Sequence, residues 1–194
     1  LSIRRDAQTG FVRGTTLGAL ATTVDFDVFG DVSFLAAAHG AAALWSQDIE
    51  LRDDLGRVKQ VTETTLGVPV THEYVYDDLG RLTDVLRDGA LYVHYGYDAN
   101  GNRDLVERAG EPAVGATYDG QDRIESYGSL TFTHTPTGER ATRVDAATAT
   151  TTTYRHDSFG ELVGVTLPDG RSIDYVLDGV GRRVQKRVDG APVQ

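Results

Sequence analysis

The sequence predicts an all-β chain of repeated antiparallel β-hairpins, with a unit of about 21 residues. Three observations carry that prediction. A turn residue recurs at Gly30, Gly56, Gly80, Gly101, Asp122, Gly138, Gly160 and Gly181, at separations of 26, 24, 21, 21, 16, 22 and 21 residues. Four residues before it stand Phe26, Arg52, Tyr76, Tyr97, Tyr118, His134, His156 and Leu177; six before it stand Val24, Glu50, Tyr74, Tyr95, Ala116, Phe132, Tyr154 and Tyr175. Both positions lean aromatic or apolar and share one face of the incoming strand, so that face packs. The third observation is an aspartate that opens the turns: Asp27, Asp53, Asp77, Asp98, Asp119, Asp157 and Asp178. A unit this short holds two strands and two turns rather than two long helices.

Taken in order, Leu1–Arg5 and Phe11–Thr16 flank Asp6-Ala-Gln-Thr-Gly10 as strand, turn and strand. Thr22–Asp27 follows with alternating Val24 and Phe26, and Val28-Phe29-Gly30-Asp31 closes a degenerate copy of the unit. The alanine-rich run Phe34–Leu44 has a weak 3.6-residue pattern and His39-Gly40 at its middle, so a hairpin is the expectation there. From Ile49 the period is clear. Its best copy is Tyr74–Tyr97, in which Asp77-Asp78-Leu79-Gly80 and Asp88-Gly89 supply two turns of different length. Pro168 precedes Asp169-Gly170 in a further turn.

A net charge of −10 and a pI near 4.8 argue against a nucleic-acid partner. No cysteine is present, which excludes disulfides and thiolate metal sites. No apolar run reaches the length of a membrane-spanning helix, and the most apolar stretch, Val32–Trp45, is interrupted by His39-Gly40. The first residue is Leu1, there is no methionine and no signal peptide is seen, so the chain is expected to be a piece of a longer protein.

Candidate chemistry is sparse. His134 and His156 occupy the aromatic position and read as packing or surface residues; His72 and His94 lie in neighbouring units and could approach across strands, but zinc needs a third ligand that the pattern does not supply. Asp98-Ala-Asn100-Gly-Asn102-Arg-Asp104 resembles half a calcium loop, yet Arg103 stands where glycine is needed and Ala109 where a bidentate glutamate should close it. The turn aspartates can accept backbone N–H groups, which explains their recurrence without catalysis. No nucleophile elbow and no phosphate loop occurs. The expectation is therefore no catalytic, cofactor-binding or metal-binding residue, no cofactor, and no enzyme.

The phrase Tyr-Asp-x-x-Gly-Arg-Leu, as in Tyr76-Asp-Asp-Leu-Gly-Arg-Leu82, Tyr97-Asp-Ala-Asn-Gly-Asn-Arg103 and His156-Asp-Ser-Phe-Gly-Glu-Leu162, resembles the YD repeats of the Rhs family, shared with the B and C shell components of bacterial toxin complexes and with teneurins. The resemblance runs from about Asp25 to Asp189. Copies at Gly30, Asp122 and Gly138 depart from the phrase. What the resemblance implies is a continuous curved or spiralling sheet, a segment of a hollow β-shell. The organisation expected is a single YD/Rhs-repeat array over residues 1–194, divergent over 1–48 and clearer over 49–194. The function implied is a structural segment of a secreted or cell-surface shell that encapsulates a C-terminal toxin or effector; the alternative is an adhesion or recognition module that binds glycan or protein through the sheet surface. Expected partners are other YD repeats of the parent chain and the encapsulated polypeptide, with glycan as a further ligand. In the isolated fragment the first and last hairpins would expose unpaired backbone edges, so edge-to-edge self-association or fragility is expected of it.

Overall fold

The computed structural model describes residues 1–193, and these contain nineteen antiparallel strands and no helix. They cluster into two units, Leu1–Tyr95 with Glu107–Pro112, and Gly96–Val106 with the described residues from Ala113 onward. The first holds β1 (Ser2–Arg5), β2 (Val12–Leu17), β3 (Leu20–Phe26), β4 (Val32–His39), β5 (Ala42–Arg52), β6 (Val58–Thr65), β7 (Val68–Tyr76), β8 (Leu82–Arg87) and most of β9 (Ala90–Gly96). Within this unit the strands from β1 to β9 pair in sequence order. The second unit holds the start of β10 (Leu105–Arg108), then β11 (Val114–Tyr118), β12 (Ile124–Tyr127), β13 (Leu130–His134), β14 (Arg140–Asp145), β15 (Thr150–His156), β16 (Leu162–Thr166), β17 (Ser172–Leu177), β18 (Arg183–Val188) and β19 (Ala191–Val193), again paired in sequence. The all-β hairpin repeat read from the sequence is the fold observed, and the alanine-rich run is a hairpin between β4 and β5 with its tip at Gly40.

Two kinds of turn alternate. In the first unit the short turns contain Gly18, Gly40, Leu66-Gly67 and Asp88-Gly89, and the last two pairs have both residues at positive φ, the geometry that matches the strands' right-handed twist. At the other end of the same strands stand longer turns opened by Asp6, Asp27, Asp53 and Asp77. In the Asp77 turn, Gly80 N–H bonds the Asp77 carbonyl at 2.9 Å and Asp77 N–H bonds the Arg81 carbonyl at 3.0 Å, leaving Gly80 at φ 81°. This is a type I turn closed by a left-handed residue. All eight turn residues read from the sequence have positive φ, Asp122 included at 59°, so the three divergent copies keep the same turn geometry.

The strands leaving these turns share an irregularity. Asp25 pairs with Phe34 but Phe26 pairs with Val32, which leaves Ser33 unopposed; Lys59, Thr83, Glu125, Ala141, Val163 and Val184 are skipped in the same way. A one-residue bulge at a constant distance from the turn bends and twists every such hairpin alike.

Among the described residues, packing within each unit is between sequence neighbours, each strand touching the strand before and the strand after. Little is deeply buried. Among the described residues the buried apolar side chains are Val61, Val93 and Val106, at 4%, 4% and 3% exposure, and no large side chain is fully buried. Stability therefore rests on the ladders and on cross-strand side-chain pairs, as expected of a repeat whose units each lean on their neighbours.

Candidate functional site

The chemistry of the chain is concentrated in the aspartate turns. In the Asp53 turn, Oδ1 accepts the N–H of Leu55 at 3.0 Å and of Arg57 at 2.9 Å, while Oδ2 takes the Arg57 Nε–H at 2.6 Å. The arrangement repeats in the turns of Asp77 with Arg81, Asp119 with Arg123, and Asp178 with Arg182. One carboxylate thus satisfies the two inward N–H groups of its turn and fixes a guanidinium four residues on.

That guanidinium reaches the next hairpin. Arg57 Cζ lies 4.5 Å from the centroid of the Tyr76 ring, and the Tyr76 hydroxyl donates to the Val58 carbonyl at 2.8 Å. Tyr118 donates to the Arg103 carbonyl at 3.0 Å, and Arg52, which holds the tyrosine's position in its own copy, donates to the Val32 carbonyl at 2.8 Å. In all three cases the acceptor is the fifth residue after the preceding turn's aspartate. The turns of Asp27, Asp53 and Asp98 are therefore each clamped to the following hairpin by a hydrogen bond and, at Arg57, by a cation–π contact. The sequence showed Arg57, Arg81, Arg123 and Arg182 only as residues after a turn. Their constant offset of four from the aspartate was the available signal for the clamp.

The carboxylate pKa values record this. The Arg123 side-chain hydrogen bond is the largest cause holding Asp119 down, from 3.8 to about 2. The side chain of Asn102 lowers Asp98, the backbone N–H of Arg81 lowers Asp77, and at Asp53 burial works upward but is outweighed by the bonds from Arg57. Glu139 is held at about 2 by the hydroxyls of Thr135 and Thr137, Thr135 standing where the other turns have aspartate. A lowered carboxylate contributes stability that is complete above its unfolded pKa and lost as pH falls through its folded one. For Asp119 the window runs from 3.8 down to about 2. The Asp119→Asn variant is expected to melt below the parent at neutral pH, with the gap closing across that window. A gap that stays constant down to pH 2 would show that the carboxylate charge contributes nothing.

The histidines behave differently from the cross-strand pairing that the sequence allows. β8 lies between β7 and β9; His72 faces Val61 and Arg87, and His94 faces Asp84. His94 Nδ1 is 2.8 Å from Asp84 Oδ1, a pair that the bulged register of β9 creates and that sequence spacing does not disclose. Asp98 spends its carboxylate on Asn100 and Asn102, whose amides also donate to Asp122. Among the described residues no group of three or more His, Asp or Glu is placed to hold a metal ion.

Concavities open beside the turns. One of about 450 Å³ lies among Asp27, Phe29, Asp31, Arg52, Asp53, Asp54 and Gly56, and one of about 390 Å³ among Asp157, Phe159, Glu161 and the Leu177–Gly181 turn. No helix of the described residues is long and apolar enough to cross a membrane.

Comparison with known proteins gives a consistent picture. The family model described as Teneurin YD-shell matches residues 1–194. Teneurin-3 of Danio rerio is 27% identical over 172 residues, 85% of this chain and 6% of its own length; Teneurin-4 of Mus musculus is 25% identical over 177 residues, 89% of this chain and again 6% of its own. The chain thus spans a small part of these relatives. Among solved structures, TcdB2-TccC3-Cdc42 superposes with a TM-score of 0.60 at 12% identity, covering 94% of this chain and 12% of that one, and TcdB2-TccC3 with 0.61 at 13% identity, covering 87% and 11%. At such identity the likeness is one of fold.

Proposed function

This chain belongs to the teneurin YD-shell family, and from that premise we propose that it is a wall segment of a secreted or cell-surface shell that encapsulates a C-terminal toxin or effector polypeptide. Residues 1–194 act in this reading as one array joined to further YD repeats of a longer parent, with its sheet continued on both sides. The observation that carries the proposal is the serial clamp. Arg52, Tyr76 and Tyr118 each tie one hairpin to the turn before it by donating to the equivalent backbone carbonyl, so the chain invests polar chemistry in continuity between hairpins. Such a wall assigns no catalytic residue and needs no cofactor. Its partners are neighbouring repeats and the polypeptide inside.

Limited proteolysis of the parent protein tests this. The C-terminal polypeptide is expected to resist protease at concentrations that degrade it rapidly once released by denaturation. Equal cleavage rates before and after release would eliminate encapsulation.

A second reading, recognition of a protein or glycan through the outer surface, is favoured by the exposed turn tips Phe29, Leu55, Leu79 and Phe159. A glycan array with no binding, together with protection of the C-terminal segment, would leave the wall alone.

A further inference from the structure

We propose that the two turns in which phenylalanine precedes the glycine and an acid follows it, Asp27–Asp31 and Asp157–Glu161, each form a socket for an arginine side chain presented by a partner polypeptide. The inference does not depend on encapsulation.

It begins from what fills the equivalent space elsewhere. Between the turns of Asp53 and Asp77, Arg57 is anchored on Asp53 by Nε and extends until Nη1 lies 2.9 Å from the point where a Cβ on Gly80 would stand. The repeat supplies its own guanidinium to that gap. In the Asp157 turn the residue in that position is Glu161, and its Oε1 lies 3.1 Å from the corresponding point on Gly181. A carboxylate therefore stands where the sister turn has a cation. In the Asp27 turn the position belongs to Asp31.

Both substitutions coincide with a concavity, of about 450 Å³ beside the first turn and about 390 Å³ beside the second. Among the described residues, Asp27, Asp31, Asp157 and Glu161 make no ion pair, whereas Asp53, Asp77, Asp119 and Asp178 each pair with the arginine of their own turn. The one cation lining the first concavity, Arg52, gives its two terminal nitrogens to the carbonyls of Gly56 and Val32. The aromatic floor on which Arg57 stacks is also absent, since Arg52 and Leu177 replace the tyrosine of the following strand. An aromatic surface comes instead from the rim: Phe29 and Phe159 line the two concavities and are 89% and 90% exposed.

Asp27 and Asp157 each give Oδ1 to two backbone N–H groups of their own turn, so Oδ2 and the acid after the glycine are what stand without a cation. Beside an exposed ring, in a gap that sister turns close with arginine, they fit a planar guanidinium better than a compact ammonium, because the planar group can take a bidentate carboxylate and stack at once. A divalent metal has no three-ligand group to bind among the described residues.

Titration of the ¹⁵N-labelled chain with hexa-arginine, hexalysine and hexaglutamate, at near-physiological salt to screen diffuse attraction, is the test. Amide shifts are expected at Phe29, Asp31, Phe159 and Glu161 with hexa-arginine, several-fold weaker binding with hexalysine, and none with hexaglutamate. Asp31→Arg and Glu161→Arg restore the sister-turn residue, and each is expected to remove binding at its own turn while sparing the other. Asp31→Asn gives a second reading should the arginine variant fail to fold, with a several-fold loss expected. Glu111→Arg matches the charge change on an exposed loop and is expected to leave both turns unaffected. Shifts spread equally over the Asp77 and Asp119 turns, or unchanged binding by folded Asp31→Arg or by Asp31→Asn, would overturn the proposal.

Discussion

Replacing Gly14 by alanine is expected to destabilise the hairpin of β2 and β3 by about 3 kcal/mol, the upper range for overpacking a site that cannot yield. Gly14 is buried and pairs with Thr23, and a Cβ there would stand 2.3 Å from the backbone carbonyl oxygen of Thr22. The obstacle is backbone held in a ladder, so no rotamer change relieves it. Gly164, buried at the matching place in β16, meets the Arg155 guanidinium first, at 2.7 Å, an exposed side chain that can swing away for the loss of its surface ion pair with Asp174. Gly164→Ala is therefore the internal control and should cost well under half as much. Chemical denaturation of both variants, with hydrogen exchange over residues 12–26 to localise the loss, measures the difference. Equal effects at the two glycines would show that the close approach at Gly14 is not what matters.

Truncating Tyr76 to alanine should cost about 3 kcal/mol, within the range for removing a large aromatic side chain. Three losses combine there: the half-buried ring, the platform beneath Arg57, and the hydroxyl bond to Val58. Tyr76→Phe keeps the first two and should cost about 1 kcal/mol, the net worth of an ordinary hydrogen bond. A double-mutant cycle with Arg57→Ala isolates the stacking, for which a coupling of about 0.5–1 kcal/mol is expected at a partly exposed site. A coupling of zero would mean that the guanidinium merely lies over the ring. Because the clamp joins successive hairpins, exchange should rise over residues 53–87 together, not only in β7.

The fold of this chain was legible because its determinants are local. Eight turn residues in phase, an aspartate opening most turns and aromatic residues at fixed offsets specify where the chain reverses, and backbone sterics at Gly80 or Leu66-Gly67 then select the turn geometry. The reading of the turn aspartates as acceptors for backbone N–H groups followed from the same local chemistry. What lay beyond the sequence is everything that depends on register. The bulges at Ser33, Lys59 and Thr83 decide which residues face one another, and a slip of one residue would turn each side chain to the other face. Hence the Asp84–His94 pair, the bond from Tyr76 to Val58, and the separation of His72 from His94 by a whole strand had no signature in spacing. The acidic gap at Glu161 belongs with them: the sequence shows an acid after a glycine, and only the packed turn row shows that a sister turn has a guanidinium in the same place.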